Sequence, residues 1–98
     1  MMRIRSLTAD RHAVYRLADD LLLVFKPRGH REAEHAHAHR QRLRVLRGRL
    51  LVRSGARSDR LSPRSRVFTL PAGRTHATLA IEDTWLLAEA LPARTRRA

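Results

Sequence analysis

The sequence predicts an all-β fold, a barrel or a sandwich. Short runs rich in aliphatic, β-branched and aromatic residues recur along it, and turn signals interrupt them about every eight to twelve residues. No stretch carries a helical period. Ninety-eight residues suffice for one small domain with a modest core and roughly six to eight strands, and not for two domains.

Each element has its own justification. Residues 3–12 are polar and read as an edge strand or a loose arm. Residues 13–17 and 21–26 read as strands around an Asp19-Asp20 turn, and Pro27-Arg28-Gly29 breaks the second. Residues 30–34 read as a loop that delivers His35. Over 41–46 the order Gln, Arg, Leu, Arg, Val, Leu predicts a half-buried strand, with Gln41, Leu43 and Val45 inward and Arg42 and Arg44 outward. Arg47-Gly48 predicts a tight hairpin turn, with glycine supplying the positive φ. Residues 49–53 then return as the partner strand, with Leu50 and Val52 on one face. Ser54-Gly55-Ala56 predicts another turn, 57–65 a polar loop or short strand, and 67–70 a strand ended by Pro71-Ala72-Gly73. Residues 76–81 and 84–91 predict a final pair around Glu82-Asp83. Pro92 stops that pair, and the basic residues after it predict a disordered tail. The expected organisation is therefore an arm or edge strand over 1–20, a barrel over 21–91 and a tail over 92–98, in a single domain.

A net charge of +12 is the electrostatic footprint of a polyanion binder. Codon composition accounts for it better: Lys26 is the sole lysine among 21 basic residues, asparagine is absent, and Ile4 and Ile81 are the only isoleucines. That is the signature of a GC-rich coding sequence. The arginines are scattered, and no helix-turn-helix, finger or single-strand-binding pattern accompanies them. The reading is therefore against nucleic acid and for a weaker consequence, an affinity for small anions. No apolar run approaches the ~18 residues of a membrane span. Met1-Met2-Arg3-Ile4-Arg5 does not open a signal peptide, so a cytoplasmic location is the expectation. Without cysteine, any metal must be held by nitrogen and oxygen.

The chemistry concentrates in two segments. His35 and His37 stand two apart, and imidazoles at that spacing on an extended chain point to one side. A third nitrogen donor from another strand, such as His76 after Pro71-Ala72-Gly73, would complete a pocket for a transition-metal ion. His39 and Gln41 share the parity of His35 and His37. One ion cannot take all four from a regular strand, so a break near Ala38 is expected.

Gly29, His35, His37, Gln41 and Gly48 fall at every spacing of the first motif of the cupin superfamily, the small metal-binding jelly-roll barrels. Pro71, Gly73 and His76 match the second motif, although Ser65 stands where its opening glycine is expected and Arg66 replaces the acid that often follows. The resemblance covers about residues 21–90. It implies a small jelly-roll (double-stranded β-helix) barrel. It also implies a divalent transition metal (Fe, Mn, Ni, Co, Cu or Zn) on His35, His37, Gln41 and His76, and a homodimer. His39 then lies at the pocket edge, as a pH-sensitive neighbour or a stray ligand.

Many relatives in the resemblance carry Glu where this chain has Gln41. Three imidazoles and an amide leave the ion its full charge and favour an anionic substrate. The functional expectation is a metalloenzyme of oxygenase, isomerase or lyase type acting on a small anionic oxygenated molecule. A non-catalytic metal- or ligand-binding or sensing module is the alternative, and Arg-mediated polyanion binding a remote one. No general base stands out: Glu32 and Glu34 read as solvated loop charges, Tyr15, Phe68 and Trp85 as core, and His12 and His30 as surface.

Overall fold

The structure, a computed structural model, describes residues 11–91; the expected arm and tail positions before and after these lie outside the described residues. Nine strands form among the described residues: β1 (Ala13–Ala18), β2 (Leu21–Lys26), β3 (Arg31–His35), β4 (Arg40–Arg47), β5 (Leu50–Ser54), β6 (Arg57–Leu61), β7 (Phe68–Leu70), β8 (His76–Ala80) and β9 (Thr84–Leu91). They make a five-stranded sheet of order β1-β2-β9-β4-β7 and a four-stranded sheet of order β3-β8-β5-β6. Every pairing is antiparallel. Side chains from both sheets meet in one core, with Val24, Leu43, Val45, Leu86 and Ala88 from the first and Leu50, Val52, Leu61 and Ala80 from the second. The molecule is thus an all-β jelly roll. No helix among the described residues is long and apolar enough to cross a membrane.

Alternation decides which face each side chain takes. In β4, Leu43 and Val45 are buried while Arg42 and Arg44 are exposed, as the pattern predicts. β2 is apolar on both faces because both are covered. Leu22 and Val24 join the inner core, while Leu23 and Phe25 pack outside with Ala13, Tyr15 and Trp85. Tyr15 and Trp85 therefore serve packing, as does Phe68 against the inner core.

Three local expectations are corrected. Residues 30–34 are not a free loop: Arg31–His35 is a strand paired with β8, held there by the ladder although its side chains are mostly polar. Arg47-Gly48 is not a hairpin turn, because β4 pairs with β7 and β9 whereas β5 pairs with β6 and β8. The chain crosses between sheets there. Likewise β8 and β9 lie in different sheets and do not form a final pair. Local alternation specifies a strand and its inner face, and leaves open which sheet receives it.

The crossing at Gly48 explains its glycine. Its φ is +95°, and a Cβ would come within 2.2 Å of the Asp83 carbonyl oxygen and 2.6 Å of Thr84 Oγ1. Thr84 is fully buried against this corner. Its hydroxyl accepts from the Arg49 N–H at 3.1 Å, and its proton is shared between the Glu82 and Arg49 carbonyls at 2.8 and 3.0 Å. The β1–β2 and β5–β6 hairpins, around Asp19-Asp20 and Gly55, form as expected.

Candidate metal centre

The two histidine segments meet through backbone pairing. His35 on β3 lies directly opposite His76 on β8. The chain then leaves β3, carries His37 through an irregular stretch that bends at Ala38 and His39, and enters β4 at Arg40. That bend is the interruption the four-residue parity requires. The Gly73 N–H donates to the His37 carbonyl at 2.8 Å, so the Pro-Ala-Gly turn is tied to the first segment. Gln41, between Leu70 of β7 and Ala90 of β9, lines the same cavity as the three imidazoles. Among the described residues the His39 ring meets that of His37, with centroids 5.7 Å apart, and it does not line that cavity.

The imidazoles of His35, His37 and His76 form one cluster. Ring centroids are 4.4 Å apart for His35 and His76, 4.8 Å for His35 and His37, and 5.3 Å for His37 and His76. One nitrogen from each lies within 4.8 Å of the others. Metal–nitrogen bonds of about 2.0–2.2 Å place neighbouring ligands of one ion roughly 3–3.6 Å apart, so the rings draw together by about an ångström to share one ion.

Tautomers favour the same reading. The His35 Nδ1 lies 2.8 Å from the Ala33 carbonyl oxygen, and the His76 Nδ1 lies 3.5 Å from that of Arg74. A carbonyl only accepts, so each Nδ1 carries the proton and each Nε2 keeps its lone pair for an ion. Burial first, then the charges of His35 and His39, hold the His37 pKa below its ordinary value. Burial also lowers that of His76; the Arg74 backbone bond opposes this, while His35 and His37 add to it. Both rings favour the neutral, ligating form.

A second polar row adjoins the cluster, and the sequence reading missed it. β3 has one more residue than β8 between the Glu32–Thr78 and His35–His76 pairs. This bulge turns Glu32 inward although it stands three residues from His35. Glu32 accepts a 3.0 Å hydrogen bond from Lys26 Nζ, and its other oxygen lies 4.0 Å from His35 Nε2. It is not a solvated loop charge. Burial works to raise its pKa, but the Lys26 hydrogen bond and charge, with His35 and His12, outweigh burial and hold it below the usual value. Lys26 is only 4 % exposed, and Thr78 opposite Glu32 is also buried. His12 is exposed as expected, yet its ring stacks on His30 at 4.3 Å and lines the cavity, and His30 is half-buried. Burial, reinforced by Lys26, lowers the pKa of both. Only Lys26, as the lone lysine on an otherwise apolar strand, gave a signal that the sequence could have shown.

The cavity that these groups share has a volume of about 170 Å³, with aliphatic walls that include Val24, Leu43, Leu50 and Leu86. A cavity of ~150 Å³ holds a benzene-sized molecule, so the space suits an ion and a small ligand.

No family model matches the sequence, and no curated protein matches it either. Solved structures do. KdgF from Halomonas sp. is 25% identical, with a TM-score of 0.69 over 94% of this chain and 87% of that one. An RmlC-like cupin from Shewanella frigidimarina is 20% identical, with a TM-score of 0.72 over 95% and 86%. A cupin superfamily protein from Desulfitobacterium hafniense is 16% identical, with a TM-score of 0.69 over 84% and 77%. These superpositions over most of the chain assign the fold. The chain has the jelly-roll fold of these cupins.

Proposed function

We propose that His35, His37, Gln41 and His76 hold a divalent transition metal, and that the chain is a metalloenzyme for a small anionic oxygenated molecule. The observation that carries this reading is the convergence of three imidazole donors, within 4.8 Å of one another, at a small cavity with aliphatic walls. The nitrogen and oxygen donors suit Fe, Mn, Ni, Co, Cu or Zn. When bound, such an ion supplies Lewis acidity to a substrate oxygen and charge stabilisation for an enolate. The protein's own residues do the rest. The Ala33 and Arg74 carbonyls orient the imidazoles, the neutral Gln41 leaves the ion's charge for the substrate, and the aliphatic walls limit water. Lys26 keeps Glu32 ionised beside His35.

The reaction falls in the oxygenase, isomerase or lyase classes. A non-catalytic sensing module is the second reading, favoured by one observation: the cavity's one carboxylate, Glu32, is already engaged by Lys26. Metal analysis of untagged protein, followed by assays of oxygen uptake and of conversion of diketones and keto-acids, separates the two. One ion per chain with turnover supports the enzyme; one ion and saturable ligand binding without turnover supports the sensor. We also propose a homodimer, since Leu17, Leu46 and Val67 stand 44–47 % exposed. A monomer by light scattering at micromolar concentration overturns it.

A further inference from the structure

The cavity holds two polar regions, and the proposed metal centre uses one of them. The other is built on Lys26, Glu32 and Thr78. Lys26 Nζ has three N–H bonds, and Glu32 takes one of them; no other partner for it is found among the described residues. Thr78 Oγ1 is fully buried and has no hydrogen-bond partner among the described residues, although the residue lines the cavity. Native structures rarely leave a buried hydroxyl unmatched. Lys26 and Thr78 thus stand together at the cavity beside the imidazole cluster, where a turn of the Thr78 side chain would present its hydroxyl, and Glu32 spans the interval with one oxygen on each side.

We propose that Lys26 and Thr78 form the anchor for the far end of the ligand, making the site selective for a small two-headed anion, a dicarboxylate. This rests on the metal-centre reading above. The near oxygen of the ligand binds at the His35, His37, Gln41 and His76 end, and the far carboxylate accepts from Lys26 Nζ and Thr78 Oγ1. Charge supports a dianion. Lys26 and Glu32 cancel, the imidazoles and the amide are neutral, and a divalent ion leaves two positive charges that a dicarboxylate neutralises. Volume bounds the ligand, since about 170 Å³ admits a molecule of benzene's size and not a sugar chain. Glu32 keeps its bond to Lys26 throughout and so fixes the ammonium in place.

The test uses Co(II)-loaded full-length protein and titration calorimetry with acetate, malonate and succinate, with metal content measured in parallel. At least one dicarboxylate should bind about tenfold more tightly than acetate, the scale of one charged hydrogen bond. Lys26→Met should erase that preference, as the ratio of dicarboxylate to acetate affinity read at equal Co(II) occupancy, because the change also leaves Glu32 unpaired and shifts every anion's affinity. Thr78→Val preserves shape and charge, and should weaken dicarboxylate binding roughly threefold or more while leaving acetate unchanged. If Lys26→Met fails to fold, Thr78→Val alone decides: an unchanged dicarboxylate affinity overturns the proposal. So does Co(II) uptake by the unsubstituted protein with no dicarboxylate preference. Absence of Co(II) uptake overturns the metal reading itself, and the anchor with it.

Discussion

The β4–β9 and β3–β8 pairs are built to different ends. β4 and β9 run alongside each other through seven residue pairs, regular from Arg40 to Val45 and shifted in register only at the far end before Arg47, and their inner face is aliphatic below Gln41, with Leu43, Val45, Leu86 and Ala88. β3 and β8 share three pairs and a bulge, and their inner face carries Glu32, His35, His76 and Thr78. Long regular alternation buries apolar area at about 1.5–3 kcal/mol per large side chain. The shorter, interrupted ladder gives up that regularity and places donors side by side. Stability and chemistry are divided between two ladders of one barrel.

Substitutions break this division in a set order. Gly48→Ala, at the end of β4, should cost about 3 kcal/mol or more, because the left-handed backbone and a backbone oxygen in the Cβ position both oppose it. Leu86→Ala should cost about 2–5 kcal/mol. Denaturant melts measure both, and the folded fraction of each variant should still take up one metal ion per chain. His37→Ala and His76→Ala should do the reverse: metal affinity falls on the order of a hundredfold, while circular dichroism keeps its β signature. Undiminished metal in both variants means that the cluster is not the site.

Gln41→Glu sharpens the contrast on the aliphatic ladder's one polar inward position. Even two unit charges about 4 Å apart gain roughly 4 kcal/mol at an effective dielectric near 20, before desolvation is subtracted. Metal affinity should rise by about tenfold or more, and affinity for a small carboxylate should fall, as paired titrations would show. Equal metal affinities would place Gln41 off the ion.

The smallest effect is that of pH. Burial lowers the folded pKa values of His37 and His76 below the ordinary 6.5. As pH falls through 6.5 the unfolded chain takes up protons first, so the metal-free protein loses stability there and shows none of this dependence well above it. His37→Ala should flatten the slope below pH 6.5, and Leu86→Ala should lower the whole curve without changing its shape. A slope equal in all three proteins would locate the pH response elsewhere.

Much of this was legible in the sequence. The strands, the inward parity of Gln41, Leu43 and Val45, and the break at Ala38 all follow from local spacing. The sheet assignments of β5 and β8 do not, because Gly48 in a crossing and Gly48 in a hairpin read alike until Thr84 is packed against it. Arg31–His35 was hidden by its polar side chains, since its strand exists only as a partner of β8. Glu32 was read as a solvated loop charge, and strand parity alone would have turned it away from His35, since only the bulge brings it inward. Thr78 gives no sign of its buried hydroxyl in a sequence.

The extra residue between Glu32 and His35 is one that the ladder can lose. Deleting Ala33 or Glu34 leaves Glu32 two residues before His35, the spacing of strict alternation, so both stay on the inner face opposite Thr78 and His76. Deleting both residues instead leaves an odd spacing with no bulge to correct it, and turns Glu32 away from the imidazoles. A lineage carrying this fold can therefore shed one codon here and keep the carboxylate beside the histidines, but cannot shed two.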